Sequence, residues 1–275
     1  MTALDLRHQP TPDAARSGIR AVAAGVLVLS VAGLVALAWF ALHTGVGQRA
    51  DERAMLAVDG TDAGYRSVLQ MLGYVSGGAV VLVLVCAAVA MARGKGRLAV
   101  ASVTAMVGAT VTTQILKHFL IERSDLTDGV YASNSFPSGH TTVAAAGLGA
   151  LLLVSPRRMR LVVVPVGAFA VMLIAAATMV AGWHRASDVM AAVLVALAWT
   201  ALAALIAGGT YDGIIGTSLL ALPGTGAAIA LLVYVGVRPT YRDWSGIADA
   251  ALVLGGVGLA TAIGVALMNR TAPTS

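Results

Sequence analysis

Residues 161–207 read LVVVPVGAFAVMLIAAATMVAGWHRASDVMAAVLVALAWTALAALIA. Two apolar runs, 161–182 and 189–207, are separated only by a short polar interval around Trp183-His184-Arg185-Ala186-Ser187-Asp188. Each run has roughly the 20 residues that a helix needs to cross about 30 Å of hydrocarbon, so the stretch predicts two membrane-crossing helices joined at one membrane face. Further runs at 21–42, 71–92, 98–117, 140–154, 214–236 and 248–268 bring the expected number of spans to eight. The 140–154 run is short, and reaches across only if its polar start, Ser138 to His140, sits at the membrane surface. The seventh run contains Pro223 and Gly224, where a kink is expected, with neighbouring helices satisfying the freed carbonyl.

Composition agrees. The chain has 275 residues, of which 58% are hydrophobic and 11% charged, and its mean hydropathy is +0.85. Soluble domains carry about 25% charged residues, so too little charge is present to cover a water-facing surface. A chain this apolar does not stay disordered either. The net charge of +5 is spread in short clusters between apolar runs, which fits membrane-flanking positive charge and not a nucleic-acid stripe. Cys86, the only cysteine, lies inside an apolar run, which excludes a disulfide framework and a cysteine metal site.

The first twenty residues are polar and the run after them is too long for a signal-peptide core, so 21–42 reads as a retained anchor. Arg7, Arg16 and Arg20 precede it; Arg93, Lys95 and Arg97 fall between runs two and three; Arg157, Arg158 and Arg160 between four and five; Arg270 follows the eighth. With alternating spans these groups share one side, cytoplasmic by the positive-inside rule. The opposite side receives 43–70, 118–139, the residues around His184, and the loop near Arg238 and Arg242. Segment 49–58 is expected there as a short helix lying on the outer surface.

Three clusters fall on that outer side: Lys117-His118-Phe119-Leu120-Ile121-Glu122-Arg123-Ser124-Asp125, Phe136-Pro137-Ser138-Gly139-His140, and Gly182 to Asp188. Together they ask for an anion. Lys117 and Arg123 supply fixed positive charge, the arginine in a geometry that can hold two phosphate oxygens. Pro137-Ser138-Gly139 before a helix offers N–H groups at a helix N-terminus, and the glycine allows close approach. His184 and Asp188 are four apart, so if the helix has begun by His184 they share a face and the carboxylate can hold the imidazole in one tautomer as a nucleophile. His140 is the matching proton donor to a leaving oxygen. Taken singly, each has an ordinary reading: interfacial anchors for the two cations, a turn and N-cap for Pro-Ser-Gly, a structural hydrogen bond for His184 and Asp188. Zinc on His140, His184 and Asp188 conflicts with the neighbouring cations, which repel a dication.

In this order the clusters resemble the signature of the type 2 phosphatidic acid phosphatase superfamily, membrane members of which dephosphorylate lipid phosphates and diphosphates. Its pattern is lysine, six residues, arginine-proline; proline-serine-glycine-histidine; then serine-arginine, five residues, histidine, three residues, aspartate. Pro137 to His140 match the second motif fully, and His184 and Asp188 match the end of the third. Only five residues separate Lys117 from Arg123, Ser124 replaces the proline, and Ala177 and Thr178 replace the serine and arginine.

The resemblance implies an all-α integral membrane helix bundle: a cytoplasmic segment 1–20, a six-helix phosphatase core within 21–210, and about two additional spans in 211–275. It implies His184 as a nucleophile forming phosphohistidine, Asp188 as its orienting partner and His140 as general acid. Lys117, Arg123, Ser138 and the Gly139 amide would hold the phosphate. Arg185 is the candidate to replace the missing arginine, or else an anchor at the lipid head groups. The expected activity is metal-independent hydrolysis of a polyprenyl (di)phosphate or phosphatidic acid at the outer face of a cell membrane. No cofactor and no nucleic-acid partner are expected; the partners are the lipid phosphate and membrane lipids. The alternative is a lipid- or anion-binding transporter, or a catalytically weak relative that keeps the pocket.

Overall fold

The computed structural model describes residues 12–58, 62–124, 126–127, 134–208, 215–234 and 246–273. Every regular element among them is helical: α1 (Pro12–His43), α2 (Gly45–Ala57), α3 (Asp62–Ala92), α4 (Gly96–Ile115), α5 (Gly139–Val154), α6 (Arg160–Val180), α7 (Ala186–Ala207), α8 (Ile215–Leu219), α9 (Ala221–Tyr234) and α10 (Ile247–Thr271). One π-helical turn, Leu116–Leu120, extends α4. Arg7, Asp125, Arg238 and Arg242 lie outside the described residues.

Among the described residues seven helices are long and apolar enough to cross a membrane, so the chain is a multi-pass membrane protein. In lipid the helix is the open-chain structure that satisfies every backbone group internally, which is why hydropathy located these elements so closely. The fourth run, α5, has 16 residues, about 24 Å at 1.5 Å per residue, and is shorter than the hydrocarbon it was expected to cross. It occupies the middle of the bundle, packed on α3, α4, α6, α7 and α10, and most of its side chains are buried. Surrounded by protein, it has no lipid thickness to match. Gly149 makes this packing possible, since a Cβ there would stand 2.1 Å from Thr200 Oγ1 of α7.

The seventh run differs from expectation. The helix breaks at Leu220 between α8 and α9, and Pro223 falls in the first turn of α9, where its missing N–H is no loss. Gly224 allows α9 to lie directly on α6, because a Cβ there would stand 2.3 Å from the Pro165 carbonyl oxygen. The two C-terminal helices thus dock on the core, α9 on α6 and α10 on α6 and α7.

The basic clusters gather at one end of the bundle. Arg97 Nη2 donates to Ile206 O (2.9 Å), tying the start of α4 to the end of α7. Arg160, 2% exposed, donates to the carbonyls of Leu152 (3.3 Å), Ser155 (3.2 Å), Ala272 (3.1 Å) and Pro273. This one guanidinium collects carbonyls left open at the ends of α5 and α10. The ends of α4 and α6 and the starts of α5 and α7 therefore meet at the opposite end.

Candidate active site

The turn from α6 into α7 delivers the histidine. Gly182 has φ +69°, a left-handed conformation that glycine adopts without penalty. Its N–H donates to Met179 O (2.9 Å), and the Trp183 and His184 amides both donate to Thr178 O (3.1 and 3.2 Å). This closes α6 as a helix C-terminus and folds His184 back over its own helix end. Thr178 is fully buried with its hydroxyl bonded to Ala175 O (2.8 Å), so the position where the motif has arginine carries no charge.

His184 Nδ1 lies 3.3 Å from Asp188 Oδ2. Asp188 is wholly buried. The same Oδ2 accepts from Ser135 Oγ (2.5 Å) and from the Arg185 backbone N–H (2.9 Å), while Oδ1 has no partner. Ser135 Oγ also accepts from Arg185 Nη1 (2.9 Å). Arg185 is 4% exposed, so its side chain is turned inward to the 134–136 segment and does not lie among lipid head groups as an anchor.

Lys117 stands in the π turn that ends α4, a local irregularity frequent at functional sites. Asn134 Nδ2 donates to Lys117 O (3.2 Å) and Ile121 O (2.8 Å), and its Oδ1 accepts from Phe136 N–H (3.1 Å), clipping the segment before α5 to the end of α4. Arg123 is half-buried, with Nη1 buried and unpartnered. Burial and then the neighbouring Arg185 cation push its guanidinium below the usual arginine range, while Asp51, Asp188 and Glu52 pull the other way.

Ser138 caps α5: its Oγ accepts from Thr141 N–H (3.4 Å) and bonds Thr141 Oγ1 (3.1 Å). Its own N–H donates to Asp188 O (3.0 Å). The Ser138 side chain is fully buried, and through these bonds it starts α5 and joins it to α7.

A cavity of about 710 Å³ opens beside these groups. Lys117, Gly139, His140, Trp183 and His184 line its head, where the His140 and Trp183 rings lie 5.8 Å apart at 37°. Below them Val80, Met106, Val107, Val111 and Val143 from α3, α4 and α5 form the walls together with the polar Ser76, Thr110, Thr113, Gln114 and Thr142. Arg123, Arg185, Ser138 and Asp188 are not part of that lining. Among the described residues no group of three or more His, Cys, Asp or Glu is arranged to hold a metal ion; Asp188 Oδ2 is instead committed to three donors.

Sequence reasoning missed Ser135, Asn134 and Asp51. Asp51, on the surface helix α2, is 6% exposed; its Oδ1 accepts from Ser187 N–H (3.0 Å) and its Oδ2 from Ser187 Oγ. No motif or periodicity marked it.

The family model described as the PAP2 superfamily matches residues 98–210. No curated protein and no solved structure matches the chain. Members of the superfamily are phosphatases, and phosphoester hydrolysis is the reaction class the match supports.

Proposed function

Residues 98–210 belong to the PAP2 superfamily, and from that premise we propose that the chain hydrolyses a lipid phosphate or diphosphate at the outer membrane face through a phosphohistidine on His184. The observation that carries this reading is the shape of the cavity. Its head holds two histidines, a lysine and the glycine that opens α5, and its body runs along α4 from Lys117 to Met106, about 16 Å at 1.5 Å per residue. Val80, Val107 and Val111 line it and are exposed, at 52%, 53% and 49%, so the slot is open along its side. A phosphate at the head can therefore keep its chain in the slot.

Asp188 holds the Nδ1 proton of His184, leaving the Nε2 lone pair to attack phosphorus. The bond from phosphorus to the leaving oxygen breaks as His140 gives that oxygen a proton. Water then attacks the phosphohistidine with His140 accepting its proton, the P–N bond breaks, and inorganic phosphate leaves; with a diphosphate, the lipid monophosphate is the leaving group of the first step. Lys117, Arg123, Arg185 and the α5 N-terminus supply the charge neutralisation that phosphoryl transfer requires above all.

The test is phosphate release by purified protein from phosphatidic acid, a polyprenyl diphosphate and a soluble aryl phosphate, with and without EDTA, and with the Val111→Trp variant. Hydrolysis should survive EDTA, and the variant should raise KM for the lipids about tenfold or more while sparing the aryl phosphate, as expected when a chain of several buried CH₂ groups at about 0.8 kcal/mol each loses its slot. Binding of lipid phosphates without release from any substrate would overturn the enzyme in favour of the binding protein; equal effects on lipid and aryl phosphates would overturn the lipid.

A further inference from the structure

Helix α2 lies outside residues 98–210 and supplies nothing to the steps above, yet one face of it touches three parts of the site. Gln48, Asp51 and Met55 follow i, i+3, i+7 spacing, which places them on one side of a helix, and all three are buried, at 1%, 6% and 5% exposure. Gln48 Nε2 donates to Leu42 O (2.8 Å) and to Ser124 O, and its Oε1 accepts from Leu126 N–H (3.2 Å). The amide thus grips the segment that begins one residue after Arg123. Asp51 takes both the backbone N–H and the hydroxyl of Ser187, in the first turn of α7 between Arg185 and Asp188. Met55 Cε sits beside Gly182, 3.7 Å from where a β-carbon would be, against the turn that delivers His184.

We propose that α2 is a positioning clamp: Gln48 and Asp51 hold the Arg123 segment and the N-terminus of α7 at a fixed separation, so that the two arginines and the His184–Asp188 pair keep one arrangement around the phosphoryl group. The inference rests on the proposed role of those groups in hydrolysis. The physical need is plain. Arg123 lies on a segment with no helix of its own, and Asp188 on a different element; neither can set its distance to the other. A misplacement of about 1 Å in such a site costs on the order of 10²-fold in rate.

The clamp is tested by hydrogen exchange and turnover on the full chain in detergent. Gln48→Ala should expose the Leu126 amide, and Asp51→Ala the Ser187 amide, each raising exchange at its own segment at least tenfold while the spans keep their protection. Turnover of the best substrate should fall about 10- to 100-fold in each. Asp51→Asn, which still accepts from Ser187 N–H, should restore both the protection and most of the rate. Unchanged exchange at Leu126 and Ser187 in the alanine variants would overturn the clamp. So would raised exchange with turnover within twofold of the wild type. If the wild-type protein releases no phosphate from any substrate, the hydrolysis reading fails, and the exchange arm still decides whether α2 holds the two segments.

Discussion

Asp188→Asn isolates the charge behind the nucleophile. The wild-type carboxylate is fully buried and gives one oxygen to three donors, Ser135 Oγ, the Arg185 N–H and His184 Nδ1, at 2.5, 2.9 and 3.3 Å. Asparagine has the same shape, and with its oxygen in the Oδ2 position it keeps all three contacts, placing its NH₂ where Oδ1 now has no partner. What disappears is the negative charge facing an imidazole that becomes cationic as it bonds to phosphorus. At a charge separation of about 4 Å and an effective dielectric near 20, that interaction is worth about 4 kcal/mol, or about 10³ in rate at 1.36 kcal/mol per decade. Steady-state phosphate release should therefore show kcat lowered by about 10³. KM should stay within about threefold, because Asp188 does not line the cavity. A kcat reduced less than about tenfold, or a loss appearing in KM alone, would refute the assignment of His184 as a nucleophile oriented by Asp188.

Two other outcomes follow from the geometry. Asp51 has its carboxyl raised from 3.8 to about 6, so the folded state binds the proton more tightly than the unfolded chain. The charge therefore costs stability above pH 6, and the protein gains stability as pH falls from about 6 to about 4; the difference of roughly two units corresponds to about 3 kcal/mol. Thermal unfolding in detergent should show Asp51→Asn up to about 3 kcal/mol more stable at pH 7 and little different at pH 4, and a less stable variant at pH 7 would contradict the burial of a charged Asp51. For topology, after Cys86 is replaced, a cysteine at Thr127 should react with an impermeant thiol reagent outside intact cells and one at Arg158 should not. Labelling at Arg158 would put the site on the cytoplasmic side.

Hydropathy alone was enough to place the spans, because a segment in hydrocarbon must satisfy its own backbone and so becomes a helix wherever it is long and apolar enough. The clustered arginines fixed which ends lie together for the same reason: alternation leaves no other arrangement. Lys117, His140, His184 and Asp188 were also legible, since each sits within a short run of characteristic residues at the end or start of a span. The partners that give those residues their geometry were not. Ser135 and Asp188 are 53 residues apart, Gln48 and Ser124 are 76 apart, and Asp51 and Ser187 are 136 apart; their meeting depends on how four helix ends and a surface helix are packed, and no local pattern encodes that. Packing likewise turned the Ser138 hydroxyl into a helix cap, brought Arg185 inward, and let α5 be short, because a buried hydroxyl, a buried cation and an enclosed helix answer to their neighbours and not to the lipid. The membrane makes each helix a local decision of the chain, whereas the distances within the site are set by contacts between helices, and those exist only once the bundle has formed.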